Sequence, residues 1–153
     1  MREILFRGKR TDNGEWVEGY YEAGYVEEVG LVHYIWALDH NEQMGELFYI
    51  YPETVGQFAG ITDANGKKIF EGDIVKTHYA NTANKADFIE EVVFRGCKFC
   101  AMAKLSGGGR MFITLFDGTP HVSADKTFYM DRVEVIGNIH DNPELLNERE
   151  DHE

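Results

Sequence analysis

Turn signals at short intervals constrain this chain more than any other feature of its sequence. The dipeptide Asn-Gly occurs at residues 13–14 and again at 65–66, and each is followed by a short apolar run. Asn-Gly favours type I′ hairpin turns, because both central residues of such a turn need a positive φ. Between the turns, runs such as residues 30–38 are rich in β-branched and aromatic residues, which fit a pleated sheet. The sequence therefore predicts a mainly β protein.

The two Asn-Gly segments also resemble each other. Residues 11–19 and residues 62–72 each have Thr-Asp, then Asn-Gly, then an apolar pair followed by Glu-Gly. Either two hairpins use the same turn chemistry, or the chain contains an internal repeat, although one short echo is far from the period of a repeat architecture. Residues 77–87 are small and polar, so we expect a loop there.

The order of these elements predicts three segments. Residues 1–60 form an N-terminal β-rich region. Residues 61–140 form the second segment, and the Gly-Asp turn that opens a strand at residues 72–75 is of a kind common in small SH3-like barrels. Residues 141–153 hold a short C-terminal helix and an acidic tail, because Asn142 and Pro143 fit the N-cap and the first position of a helix.

Composition excludes several classes of protein. The formal net charge is −12, with 15 Lys and Arg against 27 Asp and Glu, which argues against a general basic surface for phosphate backbones. No apolar run approaches the ~20 residues of a membrane helix. The segment after Met1 lacks a signal-peptide pattern, and only 2 Cys occur, so we expect a cytoplasmic protein. The sequence predicts neither a membrane nor a nucleic acid as the partner.

Candidate chemical sites are few. Cys97 and Cys100 have CxxC spacing, but residues three apart on a strand point to opposite faces, so we expect inert cysteines. We interpret His33 as a partly buried, hydrogen-bonded strand residue, residues 39–42 as a solvated loop, and residues 107–109 as a flexible loop that lacks a phosphate-binding ending. The sequence therefore predicts no catalytic, cofactor-binding or metal-binding residues, no cofactor, and a protein that is not an enzyme.

Charge is unevenly distributed along the chain. The first ten residues hold four basic side chains and one acidic side chain, whereas Glu15 to Glu28 holds five acids and no base. Opposite charges on one subunit could steer self-association, and ordinary solvated faces explain the pattern as well. The candidate interaction residues are the members of this local basic arm: Arg2, Arg7, Lys9 and Arg10.

Aromatic residues are a second candidate interaction surface. They provide more ring surface than one small core obviously needs, and aromatic residues are enriched in protein interfaces. The alternative is that most of them are core residues. The rings concerned are Tyr20, Tyr21, Tyr25, Tyr34, Trp36, Tyr49 and Tyr51.

Several blocks of sequence resemble the YopX-like family of prophage-encoded proteins, and their order and spacing extend over nearly the whole chain. Two positions depart from the family pattern, Ala59 where threonine is expected and His140 where an aromatic residue is expected. The matching blocks are FRGK at residues 6–9, WVEG at 16–19, PETVGQFAG at 52–60, DANGKKIFEGDIV at 63–75 and VIGNIHDNPEL at 135–145.

The resemblance implies an N-terminal β-rich part, a C-terminal SH3-like barrel, homo-oligomers and a bacterial or phage protein in the cytoplasm. It implies no reaction. We therefore expect a phage accessory protein that self-associates, is not an enzyme, and binds a host or phage protein. The alternative is a nucleic-acid-associated phage protein that uses the basic N-terminal arm.

Overall fold

Antiparallel strands account for most of the structure. The computed structural model describes residues 3–38, 44–80, 85–96, 98–104, 110–114, 121–122 and 129–147. These residues form twelve β-strands and two short 3-10 helices, and the predicted mainly β class is confirmed. The chain divides into two units, Met1–Gly60 (unit 1) and Ile61–Glu153 (unit 2).

Unit 1 is built on one antiparallel sheet. Its strands are β1 (Phe6–Lys9), β2 (Trp16–Val26), β3 (Gly30–Leu38), β4 (Met44–Tyr49) and β5 (Gly56–Thr62), and the last of these extends into unit 2. The strands lie in the order β4-β3-β2-β1-β5, so the short β1 is an inner strand, paired with β2 on one side and β5 on the other. A 3-10 helix, Pro52–Thr54, connects β4 to β5.

One face of this sheet forms the core of unit 1. Val17, Ile35 and Ile50 are buried at its centre. Gly19 allows β2 and β3 to approach closely, since a Cβ at this position would lie 1.9 Å from the carbonyl oxygen of Trp36. The partly buried side chains that pack against this centre are Phe6, Tyr21, Ala37, Phe48 and Val55.

Unit 2 contains the second sheet. The strands of unit 2 are β6 (Lys68–Phe70), which is not part of the second sheet, and β7 (Asp73–Ala80), β8 (Lys85–Arg95), β9 (Lys98–Lys104), β10 (Arg110–Thr114), β11 (His121–Val122) and β12 (Tyr129–Asn138). Six of them lie in the order β10-β9-β8-β7-β12-β11. The buried apolar residues of unit 2 are Ile69, Phe70, Ile74, Val75, Val92, Phe99, Cys100 and Ala101.

Buried polar side chains in unit 2 have hydrogen-bond partners. The Asp73 carboxylate accepts a hydrogen bond of 2.7 Å from the backbone N–H of Phe70, and the Thr77 hydroxyl donates to the Glu90 carboxylate. Thr77 and Glu90 have no solvent exposure.

The loop predicted over residues 77–87 is wrong in part. β7 continues to Ala80 and β8 begins at Lys85, and the pairing of these two strands satisfies their backbone hydrogen-bonding groups.

The SH3-like barrel predicted for residues 61–140 is not confirmed. Among the residues that the structure describes, β10 and β11 lie at opposite edges of an open sheet order and no pairing joins them. A closed barrel needs such a pairing, because closure is what removes the free edges.

The short C-terminal helix is not shown as an α-helix in the described part of residues 141–153. A four-residue 3-10 helix, Pro143–Leu146, occupies this position, and the Asn142 side chain makes no capping hydrogen bond. Instead, Asn142 and Leu145 lie against Gly137, where a Cβ would come within 2.7 Å and 2.9 Å of their side chains. The acidic tail beyond Asn147 lies outside the described residues.

Candidate functional site

The predicted basic arm is part of the folded sheet of unit 1. Arg7 is 9% exposed, and its guanidinium lies over the Trp16 ring at 4.7 Å from the ring centre. The Lys9 ammonium lies over the same ring at 5.6 Å. These three residues share a face, because Lys9 pairs with Trp16 and Arg7 with the adjacent Glu18 of β2. Arg7 and Lys9 do not lie on a free N-terminal arm, because they belong to β1, which is an inner strand of the sheet.

Arg10 also makes its contacts within unit 1. Its guanidinium lies 4.0 Å from the centre of the Phe48 ring and donates hydrogen bonds of 2.9 Å and 2.6 Å to the Asp12 carboxylate. This side-chain hydrogen bond lowers the pKa of the Asp12 carboxyl and raises the pKa of Arg10. Arg2 lies outside the described residues. The role of these four residues in binding stays a prediction.

The face of the unit 1 sheet opposite the core carries an aromatic surface. Side chains alternate along a strand, so Trp36 and Tyr34 face away from the buried Ile35 between them. Cross-strand pairing places Tyr20 opposite Trp36 and Tyr49 opposite Tyr34. The Tyr34 ring meets the Trp36 and Tyr49 rings edge-to-face, each at 6.4 Å between centres.

Glu22 is the carboxylate of this aromatic surface. It pairs with Tyr34 across β2 and β3, and its Oε2 accepts a hydrogen bond of 3.4 Å from the Trp36 indole N–H. Partial desolvation, the Glu22 charge and a hydrogen bond with Glu22 raise the pKa of the Tyr34 phenol above its ordinary value. We call Glu22, Tyr34, Trp36 and Tyr49 the aromatic–Glu22 cluster.

The core interpretation of the aromatic residues is wrong for most of them. Tyr25 is 81% exposed, and Tyr20, Tyr49 and Tyr51 are also exposed. Tyr21 packs against the core of unit 1. The sequence alone does not single out Glu22 as a member of the cluster. Alternation in β3 could have placed Tyr34 and Trp36 on one face, but only the pairing register places Glu22 beside them.

The far end of the β2–β3 hairpin exposes apolar side chains. Tyr25 is 81% exposed, Val29 69% and Leu31 63%. β1 pairs with β2 only as far as Gly19, and β4 pairs with β3 only from Tyr34 onward, so the described strands of this end pair only with each other. We call residues 24–32 the hairpin end.

Unit 2 has a polar surface cluster on β7, β8 and β12. His78 Nδ1 donates a hydrogen bond of 2.7 Å to Asp87, and Lys76 Nζ lies 3.1 Å from the other carboxylate oxygen. Partial desolvation raises the pKa of Asp87, but the hydrogen bonds from Lys76 and His78 bring it below its ordinary value. The Glu134 carboxylate lies 3.9 Å from His78 Nε2. Both ring nitrogens of His78 thus face carboxylates, and these contacts connect β7, β8 and β12.

The remaining sequence candidates occupy separate places. His33 is half-buried and shares a hydrogen bond of 2.7 Å with the Tyr21 hydroxyl, as predicted. Cys100 is a buried free thiol in β9, whereas Cys97 lies outside the described residues, as do residues 39–42 and 107–109. In the described ranges, no three His, Cys, Asp or Glu side chains are grouped so that they could hold a metal ion. No helix in those ranges has the length and apolar character that crossing a bilayer requires.

Comparison with known proteins identifies the family. The chain is similar to the crystal structure of protein EF1440 from Enterococcus faecalis, with a TM-score of 0.56 and 21% identity over 95% of this chain and 99% of that chain. At this identity the likeness shows the fold alone. No curated protein matches the sequence. The family model described as YopX protein matches residues 5–147. The chain therefore belongs to the YopX family.

Proposed function

We propose that this protein is a non-enzymatic, self-associating protein-binding module, encoded by a phage or prophage and acting in the cytoplasm of the bacterial host. The observation that carries the proposal is the hairpin end, where Tyr25, Val29 and Leu31 are largely exposed. Exposed apolar groups on a projecting element are typical of interaction surfaces, because burial against a partner removes them from water.

The charge around the hairpin end supports a protein partner. Glu27 and Glu28 lie in its turn and are exposed. Residues 11–60 contain ten Asp and Glu and no Lys or Arg. An acidic surface repels phosphate, so this part of the chain supports a protein partner rather than a nucleic acid. The alternative role in nucleic-acid binding would depend on basic residues that already contact rings and carboxylates of unit 1.

Non-enzymatic action is supported by the polar cluster of unit 2. Its His–Asp pair is held between the Lys76 ammonium and the Glu134 carboxylate. Self-association is supported by the backbone edges of the hairpin end, because unpaired strand edges are ready templates for pairing with another chain. An SH3-like barrel in unit 2 remains part of this proposal.

The test of partner binding uses the hairpin end. Full-length protein is immobilised and used to capture proteins from host cells, in parallel with the double variant Tyr25→Ser/Leu31→Ser. Ile136→Ser is the matched control, since Ile136 is an exposed apolar residue of unit 2. We expect a host or phage protein to be retained by the wild type and by the control but lost with the double variant. Equal retention on all three would contradict a binding role for the hairpin end.

The tests of self-association and of the nucleic-acid alternative use the wild-type protein. Light scattering over a range of concentrations should show a mass above that of one 17.5 kDa chain. A mass of one chain at every concentration would remove self-association from the proposal. Titration with single- and double-stranded DNA at two salt concentrations should show no binding, whereas salt-sensitive binding would support the alternative.

A further inference from the structure

Cations of unit 1 repeatedly lie over aromatic rings. Arg7 and Lys9 lie over Trp16, at 4.7 Å and 5.6 Å from the ring centre, and Arg10 lies 4.0 Å from the centre of Phe48. A cation over a ring face is stabilised by the negative electrostatic potential of that face, which arises from the ring quadrupole. Every Lys and Arg in residues 3–60 is thus engaged with a ring of its own unit.

The aromatic–Glu22 cluster also presents aromatic ring faces, but in the described residues it contains no cation. Its rings meet edge-to-face, so differently oriented ring faces lie beside one carboxylate. Tyr49 is 52% exposed, and Tyr34 and Trp36 are partly exposed. Gly24 borders the Tyr34 ring, since a Cβ at this position would be in ordinary van der Waals contact with the phenol oxygen at 3.4 Å. Among the described residues, no Lys or Arg lies over these rings.

We propose that the aromatic–Glu22 cluster binds an arginine or lysine side chain presented by a basic segment of a partner protein. The inference rests on the proposed protein-binding function and adds the chemistry of the partner. The ring faces attract the cation, and the Glu22 carboxylate supplies the opposite charge. Charge complementarity selects the partner, since residues 11–60 carry ten acids and no Lys or Arg.

The experiment follows the two indole N–H signals of the full chain by NMR. The probe is an eight-residue peptide of alternating arginine and glycine, and its matched control replaces every arginine with uncharged citrulline. We expect the Trp36 signal to shift saturably with the arginine peptide, whereas the Trp16 signal, under its own Arg7 and Lys9, stays unchanged. The citrulline peptide should bind roughly tenfold more weakly or not at all.

Variants of the cluster sharpen this test. Glu22→Gln keeps the size of the side chain and removes its charge, and Tyr34→Leu removes one ring; each should weaken the arginine peptide roughly tenfold. Glu53→Gln is the matched charge control and Tyr51→Leu the matched ring control, both at exposed positions outside the cluster and outside the hairpin end. Neither control should change the affinity by more than about twofold.

Three results would overturn the inference. Equal binding of the citrulline peptide by the wild-type protein would mean that the cationic charge does not matter, whichever variants fold. A Trp36 signal that shifts with protein concentration alone would make a second copy of this chain the occupant. No Trp36 shift with the arginine peptide, together with a captured protein that depends on Tyr25 and Leu31, would refute the inference and leave the proposed function standing.

Discussion

The two turns that share Thr-Asp and Asn-Gly differ in what their aspartate does. Between β1 and β2, the Asp12 carboxylate is 60% exposed and is bonded by the Arg10 side chain. Between β5 and β6, Asp63 is 7% exposed, and its carboxylate accepts hydrogen bonds from three backbone N–H groups, one of them in β12. The aspartate of the same local motif is therefore exposed at the surface in the first turn, whereas in the second turn it is buried and bonded to a strand that is distant in the sequence.

One additional residue accounts for the difference. The first turn is closed by Arg10 N–H donating to the Glu15 carbonyl at 2.9 Å, and its bend lies at residues 11–14. The second turn has Ala64 between the aspartate and Asn-Gly, so Asp63 occupies the first position of a turn closed by Gly66 N–H at 3.0 Å. In that position a carboxylate reaches the N–H groups that follow it. Position within the turn therefore decides the role of the aspartate.

Neither turn is of the predicted type I′. Among the described residues, Glu28 is the only non-glycine with a positive φ, so Asn13 and Asn65 do not adopt the left-handed conformation that this type needs. Gly14 and Gly66 do adopt it, with φ of 73° and 81°. In both turns, a longer loop lets the glycine alone take the left-handed position.

Asp63→Ala should show the largest difference between the two turns. The substitution leaves three backbone N–H groups without their carboxylate at a site that is 7% exposed. We expect the free energy of unfolding to fall by about 3 kcal/mol. Urea denaturation of the wild type and the variant measures the change. A loss below about 1 kcal/mol would mean that water replaces the carboxylate and that the two turns are alike.

Asp63→Asn should cost less and should remove a dependence on pH. The amide oxygen can still accept from the N–H groups of Asn65 and Lys67, whereas the amide nitrogen replaces the oxygen that faces Val135. We expect a loss of about 1–2 kcal/mol at pH 7. Urea denaturation from pH 7 down to about pH 2 then compares how stability changes in acid.

The acid effect has a defined sign. Partial desolvation raises the pKa of Asp63, but the backbone hydrogen bonds bring it below its ordinary value of 3.8. The stability that it contributes is complete above that ordinary value and is lost as the pH falls through the lower value of the folded state. The wild type should therefore lose more stability in acid than Asp63→Asn. Parallel curves would show that the Asp63 charge does not stabilise the turn.

Gly14→Ala and Gly66→Ala should cost nearly the same, since both turns share this feature. Each glycine has a positive φ, and a Cβ at either position would meet no atom within 4 Å. The cost is thus backbone strain alone, about 1 kcal/mol for each variant. Thermal and urea unfolding of both variants measure it. A much larger loss for Gly66→Ala would show that the second turn also constrains its glycine through tertiary contacts.

Asp12→Ala should have the smallest effect. It removes an exposed ion pair, while Arg10 retains its contact with the Phe48 ring. We expect a urea midpoint that is indistinguishable from that of the wild type, with Glu53→Ala as an exposed acidic control. A shift as large as that of Gly14→Ala would place Asp12 in the same structural class as Asp63.

Most of the strand content could be predicted from the sequence, because alternation and turn residues act locally. Strand β5 was not predicted, because Gly56 and Gly60 interrupt its apolar pattern; its pairing with β1 supplies what its composition lacks. The polar residues at the ends of β7 and β8 likewise predict a loop, although they pair with each other as strands. Local composition does not report which strand edge is available for pairing.

The candidate site was predicted only in part. Excess aromatic residues and acidic charge were visible in the sequence, but the register of β2 against β3 and of β3 against β4 places Glu22, Tyr34, Trp36 and Tyr49 together. The sequence predicts a basic arm, because charge along a segment does not reveal that Arg7 belongs to an inner strand.

The mainly β class, the match to the YopX family and the two turns that contain Asn-Gly can be read from the sequence. These follow from residues that are neighbours in the chain, where backbone preference and alternation act. Only the tertiary contacts show that Asp63 accepts a hydrogen bond from β12 while Asp12 stays at the surface, and that Glu22 meets Trp36 and Tyr34. The physical reason is that burial and hydrogen bonding depend on strand partners that lie far away in the sequence.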